Sequence, residues 1–279
     1  MQNIFQHLQV DVQKWREGGY ISKDFSAISE ILLWSKDETG QLRYLREAQF
    51  NALETYWYIR LILKTPKLLD LYQKYFPKKS DLVTAFGIPK SNEITNMLID
   101  GEDPFEKIKV DINFAKNLEL DSLHESLNLN YPSYILALAM GAGKTVLIGA
   151  IVATEFSMSM EYPQSNFMKN GLVFAPGTTI IESLREIASM PFEKILPPRF
   201  CKLFMANVKM VYTRAGEKSI PVQDSSFYNL VVTNTEKIAL RKMTKRKGQT
   251  QMEFEKLAKQ EELLSNARLN RLPSGNPLV

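Results

Sequence analysis

The feature that most constrains this chain is Gly141-Ala142-Gly143-Lys144-Thr145, which stands between the apolar run Tyr134-Ile135-Leu136-Ala137-Leu138 and a second apolar stretch beginning at Val146. Glycines at alternate positions allow a tight turn with positive φ, which other residues adopt only under strain. Residues 134–153 are otherwise almost wholly apolar, yet two glycines and a lysine at the centre argue for a turn and against a membrane span. A strand, a glycine turn and a helix in that order bring successive backbone N–H groups together at the positive end of the helix. The spacing therefore predicts a phosphate-binding loop made by Gly141, Ala142, Gly143, Lys144 and Thr145. In it Lys144 would contact the β- and γ-phosphates of a nucleotide, and the Thr145 hydroxyl would ligate magnesium. The general pattern opens on a glycine where this chain has Leu138. A lysine buried in so apolar a segment would cost on the order of several kcal/mol without an anionic partner, which favours the phosphate reading over an incidental lysine.

Two more short apolar runs, Leu172-Val173-Phe174-Ala175 and Leu230-Val231-Val232, each precede a polar turn, and helical patterns occupy residues 144–160 and 179–189. Strand and helix in alternation predict an α/β fold with a parallel sheet, in which strands covered on both faces lack polar alternation. Upstream the texture is helical. Phe5, Leu8, Val12 and Trp15 share one face of a helix that Gly18-Gly19 should stop, and a second helix should run from Leu45 to Lys64, where Thr65-Pro66 ends it. Tyr56-Trp57-Tyr58-Ile59 is apolar around the helix and is expected to be buried. The chain divides on this reading into a helical region at 1–44, a helix at 45–65, a helical insertion at 66–130 and an α/β lobe at 131–279. A last helix is expected at 251–270, with Phe254, Leu257, Leu264 and Ala267 on one side.

Composition bounds the alternatives. With 279 residues, 44% of them hydrophobic, the chain can bury a real core. A formal net charge of +4 is too small over that length to indicate a nucleic-acid partner, so any such partner must be argued locally. Cys201 is the single cysteine, which excludes an internal disulfide and suits a reducing cytoplasm; with only His7 and His124 as possible bases, it reads as a structural thiol. The N-terminus lacks the apolar core of a signal peptide, and cytoplasmic location is expected. His124-Glu125 lacks the second histidine of a zinc-protease helix and is read as structural.

Beyond the loop, several motifs occur in a shared order. Leu136-Ala137-Leu138-Ala139-Met140-Gly141-Ala142-Gly143-Lys144-Thr145 is similar to the first motif of the superfamily-two DEAD/DEAH-box helicases and translocases, with Met140 where threonine is usual. Leu172-Val173-Phe174-Ala175-Pro176-Gly177-Thr178 resembles the next motif, and Val231-Val232-Thr233-Asn234-Thr235 the third. Leu45-Arg46-Glu47-Ala48-Gln49-Phe50-Asn51-Ala52 resembles the glutamine motif that reads the adenine edge. Within the superfamily the chain looks most like the helicase (Res) subunit of type III restriction enzymes and related phage-defence proteins. The resemblance covers about half of the chain. It implies a RecA-like P-loop domain carrying a Walker A loop, with ATP and Mg2+ as cofactors and Lys144 and Thr145 as catalytic residues. It further implies that Gln49 contacts adenine, and that Pro176, Gly177, Thr178, Thr233 and Asn234 contact the backbone of DNA. The basic run holding Lys237, Arg241, Lys242, Lys245, Arg246 and Lys247 follows directly, and reads either as a solvated face or as phosphate contacts, Arg241 and Lys242 among them.

The second motif of that superfamily, Asp-Glu-x-His on a strand, occurs nowhere in this sequence, and Asp37-Glu38 falls in a polar turn. The carboxylates that would hold magnesium and activate water, and the arginine finger of a second lobe, therefore have to come from elsewhere. An arginine finger alone is worth about 10³ to 10⁵ in rate, so efficient hydrolysis by this chain alone is not expected. The expectation is the N-terminal, ATP-binding portion of a DNA helicase or translocase, whose partners would be DNA, the rest of the motor or a second-lobe chain, and a methyltransferase or nuclease subunit, without membrane contact. The alternatives are a nucleotide- or nucleic-acid-binding interaction module that does not hydrolyse, and another P-loop phosphotransferase such as a small-molecule kinase.

Overall fold

The computed structural model describes residues 3–175, 182–212 and 227–234. The chain falls into two compact units, one from Met1–Asp24 with Asn51–Ala139 and one from Phe25–Phe50 with Met140–Val279. The architecture is mixed α/β, with many helices and a three-stranded parallel sheet.

In the first unit, helix Ile4–Glu17 begins with a reciprocal cap: Asn3 accepts from the Gln6 N–H and Gln6 accepts from the Asn3 N–H, each at 3.0 Å. It stops at Gly18, and Gly19 follows with φ of 72°. Leu8, Val12 and Trp15 are buried as the spacing requires, but Phe5 is 55% exposed and lies outside the core. Helix Glu47–Trp57, which belongs to this unit from Asn51 on, continues into a π-helical turn, Tyr58–Ile62, and the chain leaves it through left-handed Lys64 and Thr65 before Pro66. Trp57, Tyr58 and Ile59 are buried. The insertion is helical, as Leu68–Tyr75, Lys79–Ala85, Asn92–Ile99, Pro104–Val110, Ile112–Asn117 and Asp121–Leu127. Short elements such as these need side-chain caps for their first N–H groups, and Ser91, Asp103 and Asp111 supply three. Phe76, Ile94, Phe105, Ile108 and Phe114 form the core between them. His124 Nδ1 lies 2.7 Å from the Ile108 carbonyl oxygen.

One strand expectation fails. Residues 134–138 form no strand and carry no regular structure, with Ile135 92% exposed. A strand is defined by its neighbour, and among the described residues this run has no ladder partner; its hydroxyl-bearing member, Tyr134, donates instead to the Pro66 carbonyl.

In the second unit the sheet has the order β1-β3-β2, with β1 at Asn170–Ala175, β2 at Val208–Tyr212 and β3 at Tyr228–Asn234. Both pairings are parallel, Leu172 opposite Val231 and Met210 opposite Leu230. The apolar runs at 172–175 and 230–232 are thus strands. β2, half-exposed and interrupted by Lys209, is an additional one. Helix Lys144–Glu161 is buried along most of its length from Leu147 on. Its Phe156 meets Tyr228 of β3 at 5.7 Å and Phe204 of helix Pro198–Asn207 at 6.4 Å between ring centroids. Glu155, buried in the same helix, accepts from the Met168 N–H at 3.0 Å and so fastens the chain just ahead of β1. Of the helical pattern at 179–189, Arg185–Ser189 is a 3₁₀ turn.

Candidate phosphate-binding site

The glycines of the loop do what their spacing predicts. Gly141 has φ of 74° and Gly143 φ of 77°, and helix Lys144–Glu161 starts at the next residue, with the Leu147 N–H bonded to the Gly143 carbonyl at 3.2 Å. Lys144 is exposed and Thr145 half-buried. The exposure of Lys144 corrects the sequence argument from burial, which therefore does not itself demand an anion there.

What holds the loop comes from the segment before it in the same unit. Helix Ala27–Trp34 is followed by a turn in which Asp37 accepts from the Thr39 hydroxyl and from the Thr39 and Gln41 N–H groups; the hydroxyl foremost, and then these N–H bonds, hold its carboxyl below the ordinary value. Arg43 then folds back, donating to the carbonyls of Trp34 and Lys36 at 2.8 and 3.1 Å with its guanidinium over the Trp34 ring. The Trp34 indole donates to the Glu193 carbonyl at 3.0 Å. Leu45 and Phe50, on either side of residues 46–49, are buried.

Three consecutive loop carbonyls are taken by this segment. The exposed Arg46 donates from Nη1 to the Gly141 carbonyl at 2.9 Å. Gln49, 2% exposed, donates from Nε2 to the carbonyls of Ala142 at 2.8 Å and Gly143 at 3.0 Å, while its Oε1 accepts from the Arg46 N–H at 2.8 Å. A trans peptide unit directs its N–H opposite to its carbonyl. Anchoring the carbonyls of 141, 142 and 143 toward Arg46 and Gln49 therefore turns the N–H groups of Ala142, Gly143 and Lys144 to the other side of the loop. That is the disposition an anion-binding loop needs. Both amide hydrogens of Gln49 are engaged on the loop, so its N–H edge is directed at the loop carbonyls.

The other sequence-derived positions are less fully placed. Thr233 is completely buried in β3 and Asn234 ends that strand. Pro176, Gly177, Thr178, Arg241, Lys242 and the helix expected at 251–270 lie outside the described residues. Among the described residues there is no group of three or more His, Cys, Asp or Glu side chains that could hold a metal, and no helix long and apolar enough to cross a membrane. Cys201 is half-buried, and burial with the nearby Glu193 charge raises its thiol above the ordinary value. Arg46 was visible in the glutamine motif, but no local signal marked it as a partner of the loop; its position just before a helix that starts with Glu47 is the one hint.

Comparison of the chain with protein-family models, with curated proteins and with solved structures gives no match in any of the three.

Proposed function

We propose that this chain binds a nucleoside triphosphate, ATP in the first instance, through Gly141, Ala142, Gly143, Lys144 and Thr145, as the nucleotide-binding part of a nucleic-acid motor of the superfamily-two helicase type. The observation that carries the reading is the loop itself: two left-handed glycines leading into the N-terminus of an 18-residue helix, with three successive carbonyls held back by Arg46 and Gln49. Such a loop offers N–H donors and a helix terminus to phosphate oxygens, and Lys144 adds a positive charge at its edge. Four charge-assisted bonds of about 2 to 3 kcal/mol each reach the roughly 8 kcal/mol that micromolar affinity needs. Thr145 is the residue suited to ligate magnesium carried in by the phosphates, and that ion would neutralise charge on the terminal phosphoryl group. The motor reading, with DNA as partner and a RecA-like lobe as its frame, rests on the order of the sequence motifs around this loop.

A second reading is favoured by one specific observation, the lack of any Asp-Glu-x-His tetrapeptide in the sequence. On that reading the chain binds nucleotide without turning it over and acts by interaction. Titration with ATP and measurement of phosphate release, each with and without single-stranded and duplex DNA, separate the two. Nucleotide binding that Lys144→Ala weakens about tenfold to a hundredfold is expected under both readings. DNA-stimulated release supports a motor complete in itself. Binding without release supports either a site completed by another chain or the interaction module, and adding a candidate second lobe then decides. A chain that binds no nucleotide overturns the proposal.

A further inference from the structure

We infer that Gln49 acts on the phosphates of the nucleotide and not on its base: it is a positioning residue that sets the phosphate loop, so its contribution is the same whatever base the ligand carries. This inference rests on the nucleotide-binding reading of the loop. A glutamine amide has two N–H donors and one carbonyl acceptor. In this structure both donors go to the loop, to the carbonyls of Ala142 and Gly143, and the carbonyl takes the Arg46 N–H at the start of its own helix. The amide is thus tied at one end to a helix terminus and at the other to two adjacent peptide groups whose N–H sides face away. It is also almost completely buried. To read an adenine edge, Gln49 would have to release at least one loop carbonyl; that of Gly143 would keep the Leu147 N–H, but that of Ala142 would lose the donor it has here. The close fit points the same way: a Cβ built on Gly143 would lie 2.2 Å from Gln49 Nε2, so the amide occupies the space against the loop that any other residue at 143 would fill.

A base-reading glutamine and a loop-setting glutamine differ in one measurable respect. The first discriminates ATP from GTP and is irrelevant to a ligand without a base. The second affects all triphosphates alike. The experiment is a binding titration of the full chain with ATP, GTP and inorganic tripolyphosphate, for the wild type, Gln49→Ala and Gln49→Glu. The glutamate variant has nearly the same size and keeps an acceptor for the Arg46 N–H, but cannot donate to the two carbonyls. Both variants are expected to weaken all three ligands by a common factor of about tenfold, with glutamate failing to rescue; because Gln49→Glu sets a buried carboxylate against two carbonyls, it should also melt below the wild type, and the ligands are compared at a temperature where circular dichroism shows every variant folded. Loss confined to ATP, or no loss for tripolyphosphate, overturns the inference and leaves the nucleotide-binding reading standing. A wild-type chain that binds none of the three overturns the reading itself and the inference with it, and that result is recognised before any variant is compared.

Discussion

Gly143 and Gln49 are matched so closely that the side-chain amide of one stands where the Cβ of any residue but glycine would stand on the other, 2.2 Å from Nε2. The same glycine holds a φ of 77°, which for an L side chain costs roughly 1 to 2 kcal/mol. Gly143→Ala therefore meets two independent obstacles. Nucleotide binding should fall below detection in the single variant. In Gly143→Ala with Gln49→Ala the clash is gone but the strain is not, and partial recovery of binding is expected. Calorimetric titration of the two variants checks this; equal binding by wild type and Gly143→Ala would mean that the loop relaxes freely.

Glu54 is fully buried, and its carboxylate is met by Arg16, through Nε at 2.7 Å and through Nη2, and by the Tyr20 hydroxyl. Removing Arg16 leaves a buried charge without its counter-ion. Loss of one partner from a buried pair costs about 3 to 5 kcal/mol, and the low end applies because the Arg16 side chain is itself about a third exposed. Arg16→Ala should lower stability by about 3 kcal/mol in denaturant titration, and Arg16→Ala with Glu54→Gln should recover part of the loss.

Arg199 provides the contrast. It forms a fork with Glu30, at 2.7 to 3.0 Å, and reaches Glu161 at 2.9 Å, yet all three side chains are substantially exposed. Exposed pairs of this kind are worth about 0 to 1 kcal/mol and are screened by salt. Arg199→Ala should shift the denaturation midpoint only slightly, and the shift should shrink at high ionic strength.

Burial is the leading cause that raises the phenols of Tyr20, Tyr58, Tyr72, Tyr75 and Tyr134 above the ordinary value of 10.0, with Glu54 adding to Tyr20, Asp11 to Tyr58 and Tyr75, and Asp70 bringing Tyr134 up to about 12. A folded-state value above the unfolded one means that the unfolded chain loses these protons first. The stability they contribute is whole below about pH 10 and is lost as pH rises through the folded values, which for Tyr134 ends near pH 12. Denaturation followed across that window, with phenolate absorbance as the second probe, should show the loss. Tyr134→Phe should lessen it.

The loop was legible because its requirement is local: positive φ at two positions needs glycine whatever surrounds it, and both glycines adopt it. The runs at 172–175 and 230–232 are strands as expected, but the cover on two faces that such runs call for holds only for the second, where Leu230, Val231 and Val232 are buried, whereas Phe174 in the first is exposed. The same reasoning misread residues 134–138, since pairing belongs to a neighbour and not to the run. β2 gives the opposite case, having a partner on β3 but Lys209 as its second residue and only partial burial. Phe5 had the spacing of a core residue and lies in solvent, because periodicity fixes a face but not how far the covering layer extends. For Gln49, the motif located the residue near the loop; which atoms its amide would choose depends on the fold that carries Arg46 and Gln49 to the three carbonyls.

The strand order has a consequence for how the chain is made. β3, at the centre of the sheet, is the last of the three to leave the ribosome, and neither β1 nor β2 bonds to the other. Until Tyr228–Asn234 emerges, two finished strands wait without a ladder, and the sheet then closes at once on contacts far apart in the chain. Nascent chains in which Tyr228–Asn234 is still inside the ribosome should hold helices but no protected amides in β1 or β2 in pulse-labelled hydrogen exchange, and arrest at lengths that bring this segment out should protect all three strands together.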